Sequence, residues 1–98
     1  MRVMTEVSAM VEAGREADLV DGFRRLLGEP KPDGLERTEL LRAGGGAWRI
    51  QTLWRDQQSL DRMRAAPEPP AAPQLFRQVG ADPTLRVFLV EASTADGA

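Results

Sequence analysis

A chain of 98 residues with thirteen basic and fifteen acidic side chains, a formal net charge of −2 and 42% hydrophobic residues suits one small globular domain. It has no basic block to form a nucleic-acid footprint and no apolar run near the roughly 20 residues of a membrane span, so a cytoplasmic protein without nucleic-acid or membrane partners is expected. With no His, Cys, Tyr or Asn, it has no thiol nucleophile, no Ser-His triad, no zinc site of the usual type and no common haem ligand except Met.

Arg2–Val11 alternates Val3, Thr5, Val7, Ala9 and Val11 against Met4, Glu6, Ser8 and Met10, which predicts a strand with one apolar and one mixed face. Ala13-Gly14 ends it. Over Arg15–Leu27 the apolar residues Leu19, Val20, Phe23, Leu26 and Leu27 recur at helical spacing. Glu16 and Asp18 in the first turn, with Arg24 and Arg25 towards the end, suit the helix dipole. Gly28 is placed to stop this helix, and Glu29–Gly34, with Pro30, Pro32 and Asp33-Gly34, is turn-rich. Leu35–Ala43 reads as a second strand, diluted by Glu36, Arg37, Glu39 and Arg42.

Gly44-Gly45-Gly46 joins that strand to Trp48–Arg55 as an antiparallel hairpin. The triplet lacks the Lys-Ser/Thr of a P-loop and lies between strands rather than before a helix. Trp48, Ile50, Thr52 and Trp54 alternate against Arg49, Gln51, Leu53 and Arg55. The period then changes to about 3.6 residues in Gln57–Ala66, a helix capped by Asp56 with Leu60 and Met63 on one face. Pro67, Pro69, Pro70 and Pro73 interrupt it before a second helical piece over Ala72–Val79. Thr84–Ala92 is the last strand, with Leu85, Val87 and Leu89 against Arg86, Phe88 and Val90. Residues 1–92 are expected to form the domain, and 93–98 a small, polar, frayed tail.

Strand, helix, strand, strand, helix, strand predicts an α+β, ferredoxin-like βαββαβ fold, a four-stranded antiparallel sheet with its helices on one face. By parity, Val3, Val7, Ala9, Ile50, Trp54, Leu85, Val87 and Leu89 belong under the helices. The other face, assigned Met4, Met10, Leu40, Leu53, Phe88 and Val90, is too apolar to face water. A second copy covering it predicts a homodimer through the sheet faces, closed as a dimeric α/β barrel.

Three patches of this chain resemble the antibiotic biosynthesis monooxygenase family of the dimeric α/β barrel superfamily. Glu12–Leu27 (EAGREADLVDGFRRLL) is similar to the family's Lys-Pro-Gly-Arg-Glu turn and first helix. Trp54–Pro67 (WRDQQSLDRMRAAP) is similar to its strand-end Trp, acidic turn, following helix and closing proline, and Thr84–Glu91 to its final strand. The resemblance implies a dimer with a substrate pocket in each subunit between sheet and helices. It also implies oxygenation of aromatic polyketides by O2 without flavin, metal or haem, so that no cofactor and no metal ligand are expected.

Residue by residue, Trp54 takes the strand-end Trp position. The resemblance places Thr5, Val7, Ile50, Thr52, Trp54, Val87 and Leu89 on the pocket face, of which Trp54, Thr52, Ile50, Val7 and Thr5 are the expected substrate-binding residues. Such a surface suits a flat, hydrophobic aromatic molecule and offers no evident base, so the catalytic residue is left open. The chain departs from the family's pattern at Ile50, where oxygenating relatives place Asn, at Val7, which is Asn in haem-degrading relatives, and at Met63, often His. Arg49, Arg86, Glu6 and Ser8 fall on the expected dimer face, where mutual pairing accounts for them. The expected function is a cofactor-independent monooxygenase of phenolic, polyketide-type substrates. The alternatives are a polyketide cyclase or isomerase on the same scaffold and a non-catalytic small-molecule-binding dimer.

Overall fold

In the computed structural model, residues 1–94 are described, so positions 95–98 of the expected tail lie outside the described residues. The strands are β1 (Val3–Met10), β2 (Leu35–Arg42), β3 (Ala47–Trp54) and β4 (Thr84–Leu89). The helices are α1 (Glu16–Leu27), α2 (Gln57–Ala65) and α3 (Ala71–Gln78), and a short 3-10 turn, Ala13–Arg15, leads into α1. All strand pairs are antiparallel, in the order β2-β3-β1-β4. The ferredoxin-like order is the expected one, with the second helix divided in two. None of the helices among the described residues is long and apolar enough to cross a membrane.

The hairpin between β2 and β3 turns on Gly45, at φ 74°, and Gly46, at φ 85°, a left-handed backbone that glycine adopts without a Cβ penalty. Counting outward from Gly45 pairs Arg42 with Trp48, Leu40 with Ile50 and Thr38 with Thr52. Leu40 therefore lies on the helix side, packed against the core, and not on the outer face where it was expected. Farther out, a bulge between Leu35 and Arg37 absorbs one residue, so Leu35 also returns inward, opposite Trp54.

One core cluster joins Val7, Val11, Trp48 and Ile50 of the sheet side to Leu19 and Phe23 of α1 and to Phe76 and Val79 around α3. A smaller one joins Val3, Trp54 and Leu60. The helices reach β1 and β3 and leave β4 bare. Leu85, Val87 and Leu89 were expected beneath them, yet they are 47%, 41% and 56% exposed. β4 is an edge strand next to β1, and no helix packs extensively against it, which leaves its apolar side chains exposed. It also ends at Leu89, which puts Val90 outside the strand.

α2 begins as its sequence requires. Asp56, extended at φ −160° and ψ 171°, accepts a hydrogen bond from the Ser59 backbone N–H at 2.8 Å and another from the Ser59 hydroxyl at 2.7 Å. The Ser59 hydroxyl, then the Ser59 N–H, and more weakly the Arg55 guanidinium hold the Asp56 carboxyl below its ordinary value against a small desolvation penalty. A carboxyl lowered in the folded state stabilises it above the unfolded pKa of about 3.9 and loses that contribution as pH falls through the folded value. Asp56→Asn keeps an acceptor but cannot titrate. Its urea midpoint is expected to lie below that of the parent at neutral pH and to converge with it in acid. A gap independent of pH would contradict the assignment.

Candidate functional site

Between the sheet and the helices lies a cavity of about 370 Å³. Its floor is the helix-facing side of β1, β2 and β3: Thr5, Val7, Thr38, Ile50, Thr52 and Trp54. Leu26 and Leu27 at the end of α1 form one wall, and Leu60 and Met63 of α2 another. Pro69 and Pro70, between α2 and α3, and Pro73 in the first turn of α3 close a third side, and Leu85 of β4 borders the cavity. The ionisable lining residues, Glu29, Lys31, Arg64 and Glu68, come from α2 and the connecting segments, and none stands on the floor.

The sequence explains why these walls stand where they do. Gly28 ends α1, and the following turns lead to Gly34, whose φ of +87° reverses the chain into β2. The Gly34 carbonyl accepts from the Arg55 N–H at 2.8 Å, and Asp33 accepts from the guanidinium groups of Arg55 and Arg62 at 3.2 and 3.3 Å. These bonds tie the loop after α1 to the start of α2. The Asp33 side chain is 77% exposed, so its ion pairs add little individually, and the Gly34 backbone bond holds the junction. The proline-rich segment after α2 cannot continue a helix and instead opens into cavity wall.

Trp54, 3% exposed, donates from Nε1 to Thr5 Oγ1 at 3.2 Å. Thr38 and Thr52 share a hydrogen bond between hydroxyls at 2.9 Å. All five residues expected from the sequence to bind substrate, Thr5, Val7, Ile50, Thr52 and Trp54, line the cavity. Val87 and Leu89, the other two assigned to that face, are not among the lining residues and are exposed on β4. Thr38 is an addition. Counting the hairpin register outward from Gly45 was the signal that would have found it, since that count sets Thr38 opposite Thr52.

Arg49 pairs with Glu6 at 3.2 Å on the opposite face of the sheet, and Arg86 lies over the Phe88 ring at 4.9 Å. Neither enters the cavity lining. Trp48, the second tryptophan, is tied to a different place. Its Nε1 donates to Glu16 at 2.7 Å while Arg42 covers its ring at 5.3 Å, fastening α1 to the hairpin. Among the described residues, no three His, Cys, Asp or Glu side chains gather where they could hold a metal ion.

No protein-family model and no curated protein matches the chain. Its architecture does match solved structures. A candidate antibiotic biosynthesis monooxygenase from Deinococcus radiodurans superposes with a TM-score of 0.75 at 14% identity, over 93% of this chain and 94% of that one. A variant of SnoaB, a cofactor-independent oxygenase from Streptomyces nogalater, does so with a TM-score of 0.75 at 21% identity, over 94% and 95%. The haem-degrading protein Rv3592 of Mycobacterium tuberculosis gives 0.70 at 21% identity, over 95% and 98%. The chain has their fold. At these identities the likeness concerns the path of the backbone over nearly the whole of each chain, and the side chains of the cavity have to be argued individually.

Proposed function

We propose that this chain is a cofactor-independent monooxygenase of the antibiotic biosynthesis type, cytoplasmic and homodimeric, with residues 1–92 as its working unit. Its substrate is a flat phenolic aromatic of the polyketide kind, and Thr5, Val7, Ile50, Thr52 and Trp54 contact it. The observation that carries this reading is the cavity of about 370 Å³, with an apolar floor broken only by hydroxyls and one indole N–H, on a fold shared with oxygenases. With no ionisable group on that floor, the substrate supplies the chemistry. An ionised phenol or enolate is itself the reductant of O2. One oxygen atom ends on the substrate carbon as a carbonyl, and the other leaves as water with two hydrogens of the neutral substrate. One comes from that carbon and one from the phenol O–H, or both come from a CH2 carbon where the substrate is the keto form. The protein's part is to hold the ring dry, orient it and favour its anion.

The same floor makes a cyclase the weaker reading, because its turnover rests wholly on proton transfer by a base within hydrogen-bond reach, whereas a phenol can enter the cavity already ionised. It also favours a second reading, a dimer that binds such molecules without turning them over. Oxygen consumption by metal-stripped protein on anthrones, naphthols and hydroquinones separates the two. Uptake above the uncatalysed rate, reduced roughly tenfold or more in Trp54→Ala, is expected. Compounds that bind to the folded protein with no uptake would leave the binding reading. The dimer is supported by the outer sheet face, where Met10, Leu41 and Phe88 are 65%, 36% and 37% exposed beside Met4 and Leu53. A light-scattering mass of 10.8 kDa in dilute solution, that of one chain, would overturn it.

A further inference from the structure

Three hydroxyls stand in a row across the cavity floor. Thr5, Thr52 and Thr38 lie on β1, β3 and β2, each directly opposite the next in the sheet register, and all three line the cavity. An indole N–H only donates, so in the bond from Trp54 the Thr5 oxygen is the acceptor and the Thr5 hydrogen is unspent. The bond between Thr38 and Thr52 uses one of that pair's two hydrogens. Two donor hydrogens are left over from three hydroxyls, on a surface whose other members, Val7 and Ile50, cannot accept them.

Hydroxyls at these positions have a cost. Thr5 and Thr52 are 7% and 6% exposed, on the same face as Val3, Val7 and Ile50. At position 52 valine has the shape of threonine and would bury without stripping water from a polar group, whereas at position 5 it would also strand the buried Trp54 N–H. A cross-strand Thr–Thr bond does stabilise a sheet, which accounts for the contact between Thr38 and Thr52. The bond from Trp54 accounts for an oxygen at Thr5, but neither bond accounts for the surplus hydrogens, and Val87 on the other side of Thr5 cannot accept one.

We infer that the Thr5–Thr52–Thr38 row is the recognition strip for oxygen in this cavity, donating to a phenolate or carbonyl oxygen on the edge of a planar aromatic ligand. The inference rests on the reading of the cavity as an aromatic-ligand site. Strands are about 4.8 Å apart, so the strip meets one oxygen, or two spaced along one edge, while the apolar walls take the ring faces. Donors aimed at the oxygen favour the anion over the neutral phenol. Trp54 becomes a positioning residue as well as part of the floor. By occupying a lone pair of Thr5 Oγ1 it directs the remaining hydrogen of that hydroxyl away from the indole and into the cavity.

The test uses α-naphthol and naphthalene, which differ by one oxygen, with affinity read from tryptophan fluorescence and ionisation of the bound phenol from its absorption spectrum. The parent protein is expected to bind α-naphthol more tightly than naphthalene and to lower the pKa of the bound phenol. Thr5→Val and Thr52→Val are each expected to weaken α-naphthol binding about three- to tenfold, the size of one hydrogen bond, with naphthalene binding unchanged and the phenol pKa moved back towards its value in water. Thr5→Ser restores the hydroxyl and should restore both readouts. Trp54→Phe keeps a ring and should move the phenol pKa in the same direction as Thr5→Val. Equal losses for the two probes, or a bound pKa indifferent to the threonines, would overturn the inference and leave the aromatic site standing. If the parent binds neither probe, the aromatic site falls, and the inference with it.

Discussion

Phe76→Ala is expected to destabilise the fold by about 3–5 kcal/mol, the range for deleting a buried aromatic ring and leaving its volume empty. A domain of this size has only about 5–15 kcal/mol to lose. Phe76 is 0% exposed and packs in the cluster that holds Val7 and Ile50 of the sheet together with Leu19 and Phe23 of α1. It is the point where α3 is fastened to both. Because α3 continues from the proline-rich cavity wall, the loss should also be felt in the site. Urea unfolding followed by circular dichroism gives the first quantity, and aromatic-ligand affinity in the absence of urea gives the second. Phe76→Leu, which keeps most of the volume, is expected to lose markedly less. A Phe76→Ala midpoint within error of the parent's would mean that α3 is not anchored as described.

The second large effect belongs to a residue with no side chain. At Gly34, φ is +87°, and a Cβ added there would overlap the side chain of Ser59. Placing an L-residue in that backbone region costs about 1–3 kcal/mol, and forcing a methyl group into an occupied space costs a similar amount again. Ser59 cannot step aside without losing its hydrogen bond to Asp56 and loosening the start of α2. Gly34→Ala is therefore expected to lower the urea midpoint strongly, and Gly34→Ala in a Ser59→Gly background, compared with Ser59→Gly alone, to show only the smaller backbone part. At Gly45 φ is +74° with open space around it, so alanine there isolates the backbone term alone. Equal losses at Gly34 and Gly45 would show that the overlap with Ser59 relaxes freely.

Most of the backbone was legible because each element carries its own period. β1 and β3 alternate cleanly, α1 repeats at helical spacing, and Asp56 and Gly28 mark their helix ends as their chemistry requires. β2 is less legible, since its charged residues blur the alternation and a bulge at its start changes the parity of Leu35. The blurred alternation hides the inward side of Thr38 and Leu40, which the register counted from the hairpin sets opposite Thr52 and Ile50. The exposure of Leu85, Val87 and Leu89 was hidden for another reason: parity names a face of the sheet but not how far across it the helices extend. The cavity floor was readable residue by residue, whereas its hydrogen bonds were not. That Trp54 addresses Thr5 depends on a side-chain direction between neighbouring strands.

The stretch between α2 and α3 has a consequence for how this protein can change over generations. Pro67, Pro69 and Pro70 have no backbone N–H to satisfy, and the segment belongs to no strand, so no sheet ladder depends on its length. Residues can be inserted or removed there without stranding buried donors, and each such change moves the proline wall of the cavity. The threonine floor, by contrast, is locked into three strands at once. Mutation can then reshape the cavity while its threonine floor stays in register; if that floor is the proposed oxygen-recognition strip, ligand size drifts and ligand polarity is inherited.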